Sequence, residues 1–189
     1  MKLLIASNNQ HKIDEIKAVL KGKFDTITTL REAVIACDPE ENGATFLDNA
    51  LIKARAVAQH SDVAVLADDT GLCVNALGGK PGVHSARYAG NHDSVANRRK
   101  LLAELENCAD RSAYFQTVVV LLYSDGNYLI GQGKVNGRIL TCEQGENGFG
   151  YDCLFYSDEL GKTFAQASTE EKLSVSHRSR ALQDLLSKL

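Results

Sequence analysis

Two adjacent aspartates, Asp68 and Asp69, follow an apolar segment in the stretch ADDTGL. Neighbouring carboxylates repel each other unless a proton or a cation compensates their charge. Mg²⁺ suits this role, because it prefers hard oxygen ligands and commonly brings phosphate groups with it. A second acidic pair, Glu40 and Glu41, precedes a predicted helix. Each pair also has a simpler interpretation: Asp68 and Asp69 could belong to a turn, and Glu40 and Glu41 could be charged residues exposed to solvent. The residues alone do not decide between these interpretations and a metal site.

A polar segment, Ser7 to Lys12, separates an apolar run from a stretch with helical periodicity. The start of a helix presents unpaired N–H groups and the positive end of its dipole, so such a loop can bind an anion. Lys12 would add a full positive charge. The segment is not a Walker A motif, and Ser7, Asn8 and Asn9 could serve only as turn and capping residues.

Lys53 lies on the same side of a predicted helix as Asn49 and several apolar residues. Two apolar faces on that helix indicate that much of its surface is covered. A lysine in this position either extends its ammonium to water or directs it at a bound anion.

The stretch NGFGYDCLFY, residues 147–156, combines features that fit a purine. Glycines on both sides of Phe149 let the backbone approach a ligand closely, and the phenyl ring offers a face for stacking. Asp152 offers fixed hydrogen-bond acceptors. The alternative is a glycine-rich turn that leads into an aromatic strand.

A basic stretch near the end of the chain includes Lys172, His177 and Arg178. In one uninterrupted helix, Lys172 and His177 would lie about 140° apart. If Ser176 caps a new helix, His177 and Arg178 fall in its first turn, and the three basic groups converge at a second site for anions. Without that cap they form the basic surface of a helix.

The elements that must position these residues alternate between strand and helix patterns. A capping box at Thr45 and Asp48 marks the start of the helix that carries Lys53. A Gly-rich loop is expected at 78–90, and the Ser-Asp-Gly-Asn turn predicts a hairpin. Strands are predicted at 2–6, 24–30, 63–67, 114–123 and 128–135, and helices at 12–20, 45–60, 94–105 and from 169 to the end. This order predicts an α/β domain with a mixed sheet.

Composition excludes several classes of protein. The 189 residues are 44% apolar and 24% charged, as in ordinary globular proteins, and they fit a single domain, 1–189. A net charge of −3 argues against a nucleic-acid-coating surface, and the longest apolar run is too short for a membrane span. Five widely spaced cysteines without a C-x-x-C pair are typical of thiols in a reducing compartment, so we expect a cytoplasmic protein.

Seven motifs in order resemble those of the Ham1/RdgB family, the inosine/xanthosine triphosphate pyrophosphatases. They are S-N-N-x-x-K, E-E-x-G-x-T-F, N-A-x-x-K-A, A-D-D-T-G-L, A-L-G-G-x-P-G-V-x-S-A-R-Y, G-F-G-Y-D and E-E-K-x-x-x-S-H-R, and they cover nearly the whole chain. The resemblance implies an ITPase-like (Ham1/Maf-type) fold with a mixed, twisted central sheet flanked by helices, in two lobes with the active-site cleft between them. It also implies Mg²⁺-dependent hydrolysis of ITP, dITP and XTP to the monophosphate and pyrophosphate, by a homodimer that needs neither nucleic acid nor a membrane.

The resemblance assigns roles to matching positions. Asp69 resembles the proton acceptor, with Asp68 beside it and Lys53 adding charge, and Mg²⁺ would be bound by Asp69 and Glu41, with Glu40 as a further candidate. Substrate would be bound by residues of four segments: Ser7, Asn8, Asn9, Gln10, His11 and Lys12; Thr70; Phe149, Gly150, Tyr151 and Asp152; and Lys172, His177 and Arg178. Phe149 would stack on the base, and the last three residues would contact the purine edge and the phosphates.

The chain departs from the family pattern at the first loop, where the family usually has T-G-N and this chain has Ser7-Asn8-Asn9. Thr70 stands where serine is common, and both side chains carry a hydroxyl. Asn8 replaces a glycine, so a positive φ at this position would be tolerated but the side chain would add bulk beside the phosphates.

Two other functions stay open from the sequence. A related Maf-type pyrophosphatase would act on other nucleoside triphosphates. A non-catalytic nucleotide-binding module would be expected to lack the acids that bind metal, whereas all four of them are present here.

Overall fold

The first strand, β1, covers Lys2–Ile5 and leads through the polar loop into helix α1, Gln10–Val19. These elements come from a computed structural model that describes residues 1–90 and 92–189. The remaining strands are β2 (Thr26–Thr29), β3 (Ala64–Val74), β4 (Ser112–Leu122), β5 (Tyr128–Ile139), β6 (Phe155–Ser157) and β7 (Lys162–Thr163). The remaining α-helices are α2 (Phe46–Ala58), α3 (Ser94–Glu104), α4 (Thr169–Val175) and α5 (His177–Leu186).

The strands form one mixed sheet in the order β2-β1-β3-β4-β5-β6-β7. β1 is parallel to both β2 and β3, whereas β6 is antiparallel to both β5 and β7. The predicted α/β class with a mixed sheet is confirmed. None of the helices within 1–90 and 92–189 is long and apolar enough to span a membrane.

The chain divides into two compact units. Unit 1 contains 1–69, 117–133 and 178–189, and unit 2 contains 70–116 and 134–177. β3, β4 and β5 each contribute residues to both units. The single domain, 1–189, stays a prediction.

The core of unit 1 follows from the alternation of side chains along β1. Leu3 and Ile5 face one cluster, which α1 and α5 complete with residues such as Ile16 and Leu182. Leu4 faces the opposite cluster, and α2 covers that side of the sheet with its buried residues Ala50, Ala54 and Val57. Both faces of the parallel strands are therefore covered, as their nearly continuous apolar sequence requires.

Unit 2 has its own core. Phe115 lies against Phe155 with a centroid separation of 4.8 Å, and Phe155 lies 5.1 Å from Phe164. Leu101 and Leu105 at the end of α3 pack into the same cluster. The Gly-rich loop predicted at 78–90 contains a 3₁₀ helix at Gly82–Arg87, which periodicity did not indicate.

Candidate active site

The polar loop after β1 forms a capped helix start. Asn9 is the N-cap of α1, and its Oδ1 accepts a hydrogen bond from the Lys12 backbone N–H at 3.3 Å. Ser7 Oγ accepts one from the Asn9 N–H at 3.2 Å. These contacts are the local turn and cap interactions that the sequence left open. They fix the first turn of α1, from which the side chain of Lys12 extends.

The other loop residues point in several directions. Asn8 is absent from the non-glycine residues with positive φ, which within 1–90 and 92–189 are Val34 and His92. Its Nδ2 instead donates to the Cys37 carbonyl at 3.3 Å. Gln10 donates to Asp14 at 2.7 Å, and His11 is exposed. A left-handed backbone is therefore not what places asparagine at this position.

The two aspartates lie within a strand that is longer than predicted. β1 pairs with β3 only as far as Ile5 opposite Leu66, so Asp68 and Asp69 follow the carboxyl edge of the parallel part of the sheet. The prediction that β3 ends before them is wrong, because the strand continues to Val74. The two aspartates therefore lie at the edge of the parallel strands β1 and β3 where α/β proteins bind ligands.

Asp68 is buried between two cations. Its Oδ2 lies 3.1 Å from Lys12 Nζ and 3.3 Å from Arg178 Nε, and its side chain is only 1% exposed. Burial favours the protonated form of this carboxyl, but the charges of Lys12 and Arg178 outweigh burial and hold the pKa of Asp68 far below its usual range. Asp68 is therefore ionised at neutral pH, where it pairs with two cations and is a poor proton acceptor.

Asp69 has the opposite electrostatic environment. Burial raises the pKa of its carboxyl above the ordinary value, Lys53 and Lys12 oppose this shift, and Glu41 adds to it. Oδ2 accepts a hydrogen bond from Asn49 Nδ2 at 3.1 Å, and Oδ1 lies 3.6 Å from Lys53 Nζ. A buried carboxylate with a raised pKa is the kind of group that can accept a proton from water.

Lys53 joins the second acidic segment to Asp69. Its Nζ lies 3.2 Å from Glu41 Oε2, while Glu40 is exposed. Burial lowers the pKa of Lys53, but Asp69, Asp68 and Glu41 outweigh burial and raise it above the ordinary value. Of the two glutamates, Glu41 is thus the one in contact with this charge cluster.

The donor chemistry of Glu41 and Asp69 fits a hard cation. Within 1–90 and 92–189, no three His, Cys, Asp or Glu side chains form a group that could hold a metal. Mg²⁺ is usually bound through one or two carboxylates together with phosphate oxygens and waters, so it does not need such a group. Two carboxylates that share one ammonium, Lys53, provide suitable oxygens.

In unit 2, Lys172 connects the aromatic and acidic residues of the GFGYD segment. Its Nζ lies 2.8 Å from Asp152 Oδ2 and 4.7 Å from the centroid of the Phe149 ring. Asp152 Oδ2 also accepts a hydrogen bond from the Phe149 backbone N–H at 2.9 Å. Asp152 therefore contacts the backbone of Phe149 and the ammonium of Lys172, the two residues predicted to contact the base.

The two residues between Phe149 and Asp152 have structural partners. The Gly150 carbonyl accepts a hydrogen bond from Arg98 at 3.1 Å. Tyr151 is buried, and its hydroxyl donates to the Ser85 carbonyl at 2.9 Å. Thr70, the first residue of unit 2, is half-buried.

The sequence left open whether the C-terminal helix is interrupted at Ser176, and the structure shows that it is, as two helices, α4 and α5. Ser176 has extended backbone, ends α4 and precedes His177, the first residue of α5. His177 stacks on Phe115 at 4.7 Å and on Phe164 at 6.2 Å, and Lys172 lies 5.5 Å from the same Phe164 ring.

Arg178, the second residue of α5, has carboxylates as its partners. In unit 1 it pairs with Asp68 and, through a short contact from its NH1 group, with Glu15. Burial lowers its pKa, but these two acids raise it above the ordinary value. Arg178 was expected to contact the purine edge. In the structure its side chain is 1% exposed and its guanidinium pairs with two acids.

The site contains two residues that were not among the predicted site residues, Asn49 and Glu15. Both are buried and both touch a predicted site residue. Helical spacing contained the signal, because Asn49 lies four residues before Lys53 and Glu15 lies three residues after Lys12. Helical neighbours of a candidate lysine therefore merit inclusion in a candidate site.

Comparison with known proteins decides the family. The sequence model of the Ham1 family matches residues 3–188. This chain belongs to the Ham1 family. Membership explains why the seven motifs occur in the family order along nearly the whole chain.

Individual relatives agree with this assignment. The dITP/XTP pyrophosphatase of Clostridium perfringens is 45% identical, and the alignment covers 97% of this chain and 95% of the relative. The dITP/XTP pyrophosphatase of Thermus thermophilus is 46% identical over 98% of this chain and 90% of the relative. The structure of the Staphylococcus aureus Ham1 protein superposes with a TM-score of 0.88 at 42% identity, covering 100% of this chain and 97% of that one.

Proposed function

We propose that this protein is a Mg²⁺-dependent pyrophosphatase that hydrolyses ITP, dITP and XTP to the monophosphate and pyrophosphate, and so removes them from the nucleotide pool. Its family, and the name dITP/XTP pyrophosphatase carried by its relatives, support the reaction. The observation that carries the proposal is the charge cluster of unit 1, where the half-buried Lys12 and Lys53 lie beside Asp68, Asp69 and Glu41.

For the triphosphate we propose the segment Ser7–Lys12 together with Lys53. The capped start of α1 supplies backbone N–H groups and a positive dipole end, and two ammonium groups supply full charges. Cleavage of the bond between the α- and β-phosphates develops charge on the bridging and peripheral oxygens. Cations held in place before the reaction stabilise that charge without reorganisation.

For the proton acceptor we propose Asp69, which would orient and deprotonate the attacking water. Its raised pKa and the hydrogen bond from Asn49 support this role. Asp68 acts through other residues, because its two ion pairs hold Lys12 and Arg178. Arg178 is likewise a positioning residue in this proposal.

For Mg²⁺ we propose Glu41 and Asp69 as ligands, with Glu40 less favoured because it is exposed. When bound, Mg²⁺ neutralises phosphate charge and favours attack at phosphorus. Lys53 would remain beside the same acids and contribute its charge to the phosphates.

For the base we propose Phe149 as the stacking residue, with Lys172 and His177 at the purine edge and Asp152 holding Lys172. Hypoxanthine and xanthine carry an acceptor at C6, whereas adenine carries a donor. A fixed donor such as the Lys172 ammonium, held by Asp152, would find an acceptor at C6 of hypoxanthine or xanthine but a second donor at C6 of adenine, and this mismatch costs binding free energy in a buried site.

We further propose a homodimer in the cytoplasm. The five cysteines are free thiols, which suits a reducing compartment. Light scattering on the purified protein tests the dimer.

A substrate panel with product identification tests the proposed reaction. ITP, dITP, XTP, GTP, ATP, dTTP and UTP would be supplied with Mg²⁺, and monophosphate and pyrophosphate would be quantified. We expect ITP, dITP and XTP to be turned over far faster than the others. Preference for dTTP or UTP would indicate a Maf-type activity, and nucleotide binding without turnover would indicate a binding module.

A further inference from the structure

Asn49 is a buried polar residue in the middle of the candidate site. It is the fourth residue of α2, and its side chain has no exposed surface. Asparagine is a weak helix former, and a buried amide costs free energy unless both of its ends are hydrogen-bonded. Its presence at this position therefore needs a structural reason.

Both ends of the Asn49 amide have partners in unit 1. Oδ1 accepts a hydrogen bond from the Gly43 N–H at 2.8 Å, and Nδ2 donates to Asp69 Oδ2 at 3.1 Å. The Gly43 N–H can only donate, so it must face the amide oxygen and leave the NH₂ group for Asp69. The partners thus fix the orientation of the amide.

Gly43 lies two residues after Glu41 and packs closely on the start of α2. A Cβ at this position would lie 2.5 Å from Asp48 Cβ and 2.7 Å from Asn49 Oδ1, which is closer than side chains allow. The segment that carries Glu41 can therefore approach α2 only because residue 43 is glycine.

Lys53, one turn further along α2, makes a second link between the same acids, to Glu41 at 3.2 Å and to Asp69 at 3.6 Å. A divalent cation would repel this ammonium. The amide of Asn49 has no net charge to oppose a cation, so its hydrogen bonds to Gly43 and Asp69 can persist both without and with the bound cation.

We propose that Asn49 is a positioning residue whose amide ties the Glu41 segment to Asp69 and so fixes the two carboxylates at which a divalent cation binds. This inference rests on the proposed function, because it concerns the metal ligands named there. It adds a residue that holds those ligands in place without touching the cation or the substrate.

The test uses Mn²⁺ as a paramagnetic probe, titrated into the full-length protein and followed by electron paramagnetic resonance. Outer residues that orient metal ligands typically change metal affinity by about 10- to 100-fold when they are removed. We expect the Asn49→Ala variant to bind Mn²⁺ at least about 10-fold more weakly than the unmodified protein. Normal Mn²⁺ binding by this variant would overturn the proposal.

Asn97→Ala is the matched control. Asn97 is also buried and is the fourth residue of its helix, α3, where Oδ1 accepts from the Ala89 N–H at 2.6 Å and Nδ2 donates to the Ala86 carbonyl at 3.0 Å. We expect this variant to lose stability as Asn49→Ala does and to keep its Mn²⁺ affinity. If both variants lose Mn²⁺ affinity equally, the loss in Asn49→Ala comes from general destabilisation of the fold, and the proposal is wrong.

Gly43→Ala tests the link from its other side and serves if Asn49→Ala does not fold. The added methyl group would clash with Asp48 Cβ and Asn49 Oδ1 and so displace the Glu41 segment from α2, while the amide of Asn49 and the two carboxylates are all retained. Mn²⁺ should again bind more weakly. Unchanged affinity in Gly43→Ala would contradict the link. If the unmodified protein does not bind Mn²⁺, the assignment of Glu41 and Asp69 as metal ligands in the proposed function is also wrong. If the unmodified protein binds Mn²⁺ and Asn49→Ala binds it normally, the role of Asn49 alone is wrong.

Discussion

Arg178 and Asp68 form a buried ion pair, with Nε 3.3 Å from Oδ2 and each side chain 1% exposed. The two residues are 110 positions apart in the sequence, and the NH1 group of the same guanidinium contacts Glu15 on α1. Arg178 thus holds the beginning of α5 to the strand and helix that carry Asp68 and Lys12. The pair is part of the folded framework of unit 1.

Replacing Arg178 with glutamine should destabilise the protein strongly. Removal of one partner of a buried pair leaves uncompensated charge and costs about 3–5 kcal/mol. Arg138→Gln is the control, because Arg138 and Asp158 are about half exposed and such pairs contribute only about 0–1 kcal/mol. Urea unfolding of both variants measures the difference, and equal losses would contradict the framework role of Arg178.

Replacing Asp69 with asparagine should remove activity and leave the fold intact. Loss of a general base lowers turnover by about 10²- to 10⁴-fold. Because burial disfavours the ionised form of Asp69, a neutral side chain of the same shape should not lower the free energy of unfolding. Pyrophosphate release and urea unfolding measure the two effects, and near-normal turnover would refute the proposed role.

The free energy of unfolding should depend on pH through Asp68. Its pKa is lower in the folded than in the unfolded chain, so the unfolded chain binds more protons in acid and stability rises with pH. The contribution of Asp68 is complete above the unfolded value of about 4 and is lost as the pH falls below it. Asp68→Asn should therefore lose most stability near neutral pH, with a smaller difference from the unmodified protein below about pH 3. A constant difference across this range would contradict the depressed pKa.

Removal of the Phe149 ring should weaken substrate binding more than turnover. Stacking of a base on an aromatic side chain contributes about 1–3 kcal/mol, so Phe149→Ala should raise KM by about 5-fold or more with a smaller change in kcat. Phe149→Tyr keeps the ring and should retain KM. Steady-state kinetics with ITP measures both variants, and an unchanged KM in Phe149→Ala would exclude stacking.

Local signals in the sequence predicted the elements that position the site. The Thr45–Asp48 capping box predicted the start of α2. A break at Ser176 was one of two arrangements left open, and the structure has it, with Arg178 in the first turn of α5. Such features depend on residues close in sequence, and helical periodicity and capping chemistry describe them well.

Contacts between distant segments could not be predicted in the same way. The extension of β3 through 68–74 depends on pairing within the sheet, although Asp and Gly disfavour strands. The partners of Arg178 were missed because a basic residue after Ser176 gives no sign of which acids it meets. Asn49 was seen on the correct helix face, but its contact with Asp69 depends on how α2 lies over β3.

The most direct test of the central claim is the product formed from ITP and from ATP under identical conditions with Mg²⁺. Phosphorus NMR of the reaction mixtures distinguishes pyrophosphate from orthophosphate. We expect ITP to yield IMP and pyrophosphate, with far slower conversion of ATP. Equal turnover of ATP, or release of orthophosphate in place of pyrophosphate, would contradict the proposed function.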